Sequence, residues 1–213
     1  EILSGLVGSE MCIRDRLWVL NAMLGGVPLL LHAALLLTAW VLLSGGLHLD
    51  GLADSADAWL GGFGDRERTL SIMKDPRSGP IAVVTLVLVL LLKFTALVAL
   101  IEQQQGFALL LAPLIGRGAL LGLFLCTPYV RAGGLGQALA DHLPRVAGRQ
   151  VLGLSVLACL LLGGYSGLWA VLLAAVLLFW LRQVMMRRLG GTTGDTAGAV
   201  LELLETAVLL GVA

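Results

Sequence analysis

Charge is scarce in this sequence: Asp, Glu, Lys and Arg make up 13% of its 213 residues, against 58% hydrophobic. A soluble domain of this size needs a polar skin, and so little charge cannot supply one. Lipid must therefore be the solvent for most of the surface. Net charge is also nil, with fourteen basic residues against fourteen acidic, which removes any case for nucleic-acid binding by bulk electrostatics. Cysteine is nearly absent. Cys12, Cys126 and Cys159 lie far apart without CxxC spacing, which excludes a disulfide framework and a thiolate zinc site and leaves small apolar fillers. Neither Ser-His-Asp nor Cys-His arrangements offer a covalent nucleophile. No repeat or low-complexity linker divides the chain, and its length suits one domain.

What the sequence has is long apolar runs, with a mean hydropathy of +0.95. A spanning helix needs about 20 mainly apolar residues. Five stretches approach this: Leu17 to Ser44, interrupted by Gly25, Gly26 and Pro28; Ile81 to Ile101; Phe107 to Leu125; Val151 to Leu181; and Ala197 to Ala213. The fourth contains Gly163-Gly164-Tyr165-Ser166-Gly167 and reads as two helices in a tight hairpin, with one long tilted helix as the alternative. The expected fold is all-α, a polytopic transmembrane helix bundle of about five to six spans. Ten of the fourteen basic residues sit in three alternate loops, 61–80, 126–150 and 182–198. The positive-inside rule places those loops in the cytoplasm. Residues 1–16 fit neither a signal peptide nor a span, and are expected to be non-native or disordered, leaving 17–213 as the membrane domain.

Three constellations carry chemistry. In Gly46-Leu47-His48-Leu49-Asp50-Gly51-Leu52-Ala53-Asp54-Ser55-Ala56-Asp57 the aspartates at i, i+4 and i+7 share one helical face. Three close carboxylates repel one another unless a cation sits among them, and hard oxygen ligands suit Mg²⁺ or Mn²⁺. The competing reading is a solvated helix end. His48 points to the other side, with a substrate role and an interfacial polar residue evenly balanced. Asn21 and His32 read as packing residues with satisfied polar groups. In Lys74-Asp75-Pro76-Arg77-Ser78-Gly79-Pro80 the prolines put Asp75 and Ser78 in extended or turn backbone. There Lys74 and Arg77 suit phosphate, although alone they would be membrane anchors. In Gly190-Gly191-Thr192-Thr193-Gly194-Asp195 a Gly/Thr loop opens onto the last helix, with Asp195 a site residue or an N-cap, and with backbone amides able to hold an anion. Glu202 and Glu205 follow inside an apolar run. Intramembrane carboxylates are functional by default, with pairing to Lys93 or Arg117 as the competing role.

The stretches HLDGLADSADAW, IMKDPRSG and LGGTTGDTAGAVLELLE, with the span TLVLVLLLKFTALVAL, closely resemble cobalamin synthase, the adenosylcobinamide-GDP ribazoletransferase family. The resemblance runs from about Val27 to Ala213 in order and spacing. It departs at Pro76 and Ser78, and residues 1–16 are unlike the family's longer N-terminal part. The resemblance implies a Mg²⁺-dependent reaction joining adenosylcobinamide-GDP and α-ribazole, or its 5′-phosphate, to give adenosylcobalamin, or its 5′-phosphate, and GMP. On this reading Asp50, Asp54, Asp57 and Asp75 are catalytic. Asp50, Asp54, Asp57 and Asp195 hold metal, and His48, Lys74, Arg77, Thr193, Asp195, Glu202 and Glu205 bind substrate. The expected setting is the inner membrane with the site facing the cytoplasm, with a homo-oligomer compatible with the Gly116–Gly122 stripe. Two rivals remain: a CDP-alcohol phosphotransferase-like lipid enzyme and a membrane carrier, although no internal symmetry supports the carrier.

Overall fold

The computed structural model describes residues 15–134 and 136–213. The expectation for residues 1–16 therefore lies outside the described residues, except at positions 15 and 16, which are helical. Helices follow one another along the chain: α1 (residues 15–23), α2 (Leu29–Leu43), α3 (Leu47–Gly61), α4 (Arg66–Ile72), α5 (Pro80–Glu102), α6 (Ala108–Cys126), α7 (Gln137–His142), α8 (Arg145–Leu189) and α9 (Gly194–Val212). Among the described residues the sheet-like contact is an isolated parallel bridge between Tyr129 and Thr192. The protein is an all-α helix bundle with membrane-spanning elements.

The spans at Ile81–Ile101 and Phe107–Leu125 emerge as α5 and α6 within a residue or two at each end. Apolar runs of this length admit little else, and in α6 the helix continues through an interior Pro113. The expected first span, Leu17 to Ser44, is not one helix. The chain turns at residues 24–27, where the Val27 N–H donates to Leu24 at 2.9 Å, and α2 starts only after Pro28. A second break follows at Gly45 and Gly46, whose φ angles of 65° and 68° only glycine adopts in succession without strain. This break turns α3 by 86° from α2.

Among the described residues α5, α6 and α8 are long and apolar enough to cross a membrane, and α2 with α3 qualifies if taken as one broken span. The hairpin in α8 is present. Gly164 leaves the helical region at φ 53°, and a Cβ on Gly167 would stand 2.1 Å from the Cys159 carbonyl oxygen. In a continuous helix eight residues separate such groups by about 12 Å, so the chain has folded back and α8 is two antiparallel arms. The last helix, α9, carries Asp195, Glu202 and Glu205, too many acids for an ordinary span.

The three basic loops collect at one end of the bundle. There the start of α5 meets α3, the end of α6 meets the start of α9, and the Arg66 Nε of α4 donates to the Leu189 carbonyl at 2.7 Å. At the other end the Gln103 Nε2 donates to the Ala213 carbonyl and the α8 hairpin packs on Phe107 and Leu111. Small residues let the helices close on one another, the usual device where lipid removes any hydrophobic drive. A Cβ on Gly116 would lie 2.9 Å from Glu205 Cγ, while Gly118 and Gly122 face Leu152 at 3.6 Å. The Gly116–Gly122 stripe is thus used within the chain. Cys159 is buried as a filler; Cys126 is exposed and bonds the Gly122 carbonyl; Cys12 lies outside the described residues.

Candidate active site

The site is made where α3 crosses the start of α9. This crossing is closer than side chains allow: a Cβ on Gly51 would stand 2.8 Å from the Asp195 carbonyl oxygen and 3.0 Å from its Cα. One helical turn on, Gly198 meets the backbone of His48, where a Cβ would lie 3.3 Å away. The two glycines bring the aspartate face of α3 against Asp195. Asp50 is exposed and Asp54 half-buried. The charges facing Asp54 are those of Asp50, Asp195, Arg131 and Asp57, and Asp195 in turn faces Arg131 and Asp50. Acidic groups from positions 145 residues apart along the chain thereby converge.

Arg131 is the member that sequence reasoning missed. Its place is prepared by the end of α6, where Arg182 donates to Thr127 Oγ1 at 3.1 Å and to the Cys126 carbonyl at 2.8 Å. Residues 128–130 then pair with the loop before α9. Val130 N–H donates to Thr192 and Thr192 N–H to Pro128, each at 2.9 Å. Gly191 allows this, because a Cβ there would fall 2.2 Å from the Pro128 carbonyl oxygen. Arg131 follows the pairing directly and forms an ion pair with Asp195. Its one signal in the sequence was a basic residue beside Pro128 and the Gly133-Gly134 turn, which reads as an ordinary anchor.

Other expected site residues are placed differently. Asp57 faces the aspartate group, yet its oxygens accept from Gly79 N–H at 2.5 Å and Ala82 N–H at 2.9 Å. It caps the start of α5, where amide donors lack helical partners. Thr193, not Asp195, is the N-cap of α9. Its hydroxyl accepts from Thr196 N–H at 3.2 Å, while Thr193 N–H donates to Thr196 Oγ1 at 2.8 Å. The Thr193 side chain is wholly buried in that capping box, which accounts for it without a substrate. The Gly/Thr loop is likewise occupied with packing against residues 128–130 and with capping.

Glu202 and Glu205 take the pairing role. Lys93 Nζ lies 2.6 Å from Glu202 Oε2 and 2.9 Å from Glu205 Oε2, all three buried. The ammonium also stands 5.0 Å above the Trp40 ring, and the Arg117 charge reaches both glutamates. His48 is half-buried, and the charges it faces are Glu205 and Lys93 rather than the aspartates. Asn21 Oδ1 and His32 Nε2 are buried without hydrogen-bond partners among the described residues, so the expectation that they are satisfied does not hold.

The 74–79 segment is turn and extended backbone, as its prolines require. Arg77 grips Asp75 at the surface through Nε at 3.0 Å and Nη2 at 2.8 Å. Hydrogen bonds from that guanidinium hold the Asp75 carboxyl below the usual carboxylate range, and the carboxylate raises Arg77 in return. Lys74 is exposed. The α4 segment is fixed from behind by Arg188, whose Nη2 donates to the Trp59 carbonyl at 2.8 Å and whose Nε donates to Thr69 Oγ1 at 3.1 Å.

Among the described residues no three His, Cys, Asp or Glu side chains stand close enough to enclose one ion. The donor set nevertheless fits a hard divalent cation in the form such ions prefer: one or two carboxylates, with water and phosphate completing the shell. Asp50, Asp54 and Asp195 are the carboxylates available, with Asp57 already bonded to amides.

The chain matches the family described as cobalamin-5-phosphate synthase over residues 6–213. It is 99% identical over 197 residues to an adenosylcobinamide-GDP ribazoletransferase of Pseudomonas fluorescens, covering 92% of this chain and 81% of the relative. It is 76% identical over 193 residues to one of Pseudomonas savastanoi pv. phaseolicola, covering 91% and 79%. With one of Pseudomonas putida identity is 75% over 197 residues, covering 92% and 80%. No solved structure matches.

Proposed function

The chain belongs to the cobalamin-5-phosphate synthase family, and we propose that it is an adenosylcobinamide-GDP ribazoletransferase working at one membrane face. The reaction joins adenosylcobinamide-GDP and α-ribazole, or its 5′-phosphate. A ribazole hydroxyl oxygen attacks the cobinamide-side phosphorus of the diphosphate. The bond from that phosphorus to the bridging oxygen breaks, and GMP departs with the electron pair. Such transfer needs in-line positioning and neutralised charge more than covalent catalysis, which suits a site without a paired nucleophile and base.

The observation that carries this reading is the convergence of Asp50, Asp54 and Asp195 with Arg131 at the α3–α9 crossing. Two of the carboxylates Asp50, Asp54 and Asp195 would hold Mg²⁺, with water and phosphate oxygens completing its shell. A bound Mg²⁺ supplies neutralisation of the diphosphate oxygens. Asp54, half-buried among the other charges, takes the hydroxyl proton. Asp57 and the Gly51–Asp195 contact keep α3 in register with α5 and α9. Lys74 and Arg77, at the same basic end, meet the incoming diphosphate first, and Asp75 holds Arg77 in place. His48 sits behind the aspartates, next to the buried ion cluster.

The basic loops at this end support a cytoplasm-facing site on a bundle in the inner membrane. Family membership sets aside the lipid-enzyme and carrier alternatives. Membranes containing the protein, given Mg²⁺, adenosylcobinamide-GDP and α-ribazole, release GMP; absence of release refutes the proposed activity. Asp54→Asn abolishes release, and retention of full activity by that variant would remove the carboxylate assignment while leaving the family intact.

A further inference from the structure

We infer that Arg131 is the resident counter-charge of the carboxylate cluster and, once a divalent cation takes those carboxylates, the side chain that binds the substrate's diphosphate. This rests on the reading of the site given above.

Three features lead there. The guanidinium bonds Asp195 and is the one cation among the charges facing Asp54. Four carboxylates, Asp50, Asp54, Asp57 and Asp195, stand against one guanidinium, an excess of negative charge that a divalent cation offsets. Binding such an ion loosens the carboxylates' hold on Arg131 at the moment an anionic diphosphate needs it.

Access comes next. The Arg131 and Asp195 side chains are 24% and 18% exposed, open enough for a ligand to displace the pair. Arg77, which meets the diphosphate at the surface, is 87% exposed and paired with Asp75.

The third feature is rigidity. The backbone just before Arg131 is locked by the paired 2.9 Å bonds between residues 128–130 and Thr192. The side chain can change partner while its root stays fixed. A planar fork that bonds a carboxylate suits phosphate oxygens equally well, which a lysine cannot reproduce.

The test uses the full chain in lipid nanodiscs with Mn²⁺ as probe, titrated by electron paramagnetic resonance without substrate. Arg131→Gln removes one unit charge beside the ligands and binds Mn²⁺ on the order of tenfold tighter. The same variant raises the KM for adenosylcobinamide-GDP at saturating Mg²⁺ by about tenfold, the direction in which lost ground-state binding acts. Arg131→Lys keeps Mn²⁺ affinity near the wild-type value but raises KM several-fold. Equal or weaker Mn²⁺ binding by Arg131→Gln overturns the inference, reducing Arg131 to a side chain that orients Asp195. If Arg131→Gln does not fold, an unchanged KM in Arg131→Lys overturns it equally. Failure of wild type and both variants to bind Mn²⁺ removes the cation reading, and this inference with it. Mn²⁺ binding without GMP release in wild type strikes the proposed reaction alone.

Discussion

Replacing Gly51 by alanine tests the crossing on which the site depends. The added methyl would stand 2.8 Å from the Asp195 carbonyl oxygen, 3.0 Å from its Cα and 3.3 Å from its carbonyl carbon. Comfortable carbon contacts begin at about 3.5 Å. The atoms in the way are backbone, which cannot rotate aside as a side chain could. The start of α9 must therefore move off α3 by roughly half an ångström or more, at a cost of about 1–3 kcal/mol for an overfilled contact. The same displacement separates Asp195 from Asp50 and Asp54, and a misplacement near 1 Å lowers rates by up to about 100-fold. GMP release should fall by one to two decades (about 10- to 100-fold), with a lowered melting temperature in detergent. Gly198→Ala is the graded control: its methyl meets His48 at 3.3 Å, so the defect should be milder. Gly153→Ala, with nothing within 4 Å, should leave activity intact and add a few tenths to about 1 kcal/mol of helix stability. Wild-type rate and melting for Gly51→Ala, or a worse defect for Gly198→Ala, would refute the reasoning.

Other variants separate capping, pairing and catalysis. Lys93→Met leaves Glu202 and Glu205 without their shared ammonium, and stability should drop by about 3–5 kcal/mol, read by thermal melting; adding Glu202→Gln should recover part of that loss. Asp57→Asn weakens the cap on α5 and should lower stability by about 1 kcal/mol while weakening Mn²⁺ binding less than Asp50→Asn does, which distinguishes capping from ion binding. Thr193→Ala should cost about 1 kcal/mol and Thr193→Ser little, with the KM for either substrate unmoved. Removing Arg77 by Arg77→Ala should let Asp75 titrate at higher pH, back in the ordinary carboxylate range, as followed by NMR. The sign is that of a carboxyl held low by its partner: the pairing is present above the unfolded pKa and lost as pH falls.

The helices that could be read from the sequence are those fixed by local composition. The span α5 is a run of Val, Leu and Ala bounded by Pro80 and Glu102, and nothing beyond hydropathy was needed to find it. The hairpin in α8 was announced by its glycines. The two breaks around α2 were harder, because Gly25, Gly26 and Pro28 can kink a span or end it, and only packing decides which. The same division holds at the site. The i, i+4 spacing of Asp50 and Asp54 is local geometry, and it predicts a shared face correctly. That Asp57 is drawn to amides at Gly79 and Ala82, or that Arg131 meets Asp195, depends on partners 22 to 64 residues away. No periodicity records such meetings. The start of α9 was harder to read for a simpler reason: both Thr193 and Asp195 are good capping residues, and the backbone turned into a helix two positions earlier than the acid suggested.

The buried union of Lys93 with Glu202 and Glu205 also bears on how the protein is made. A helix bearing two intramembrane carboxylates is poorly accepted by a translocon, each acid adding about 2.5–3.5 kcal/mol on insertion scales. Their partner is synthesised more than a hundred residues earlier, on α5. During biogenesis α5 must hold an ammonium in the bilayer until α9 arrives, and α9 enters lipid only as the lysine's companion. Synthesis and membrane integration of α9 are thus one event, and a polypeptide arrested before Glu202 would expose an unmatched cation to the lipid.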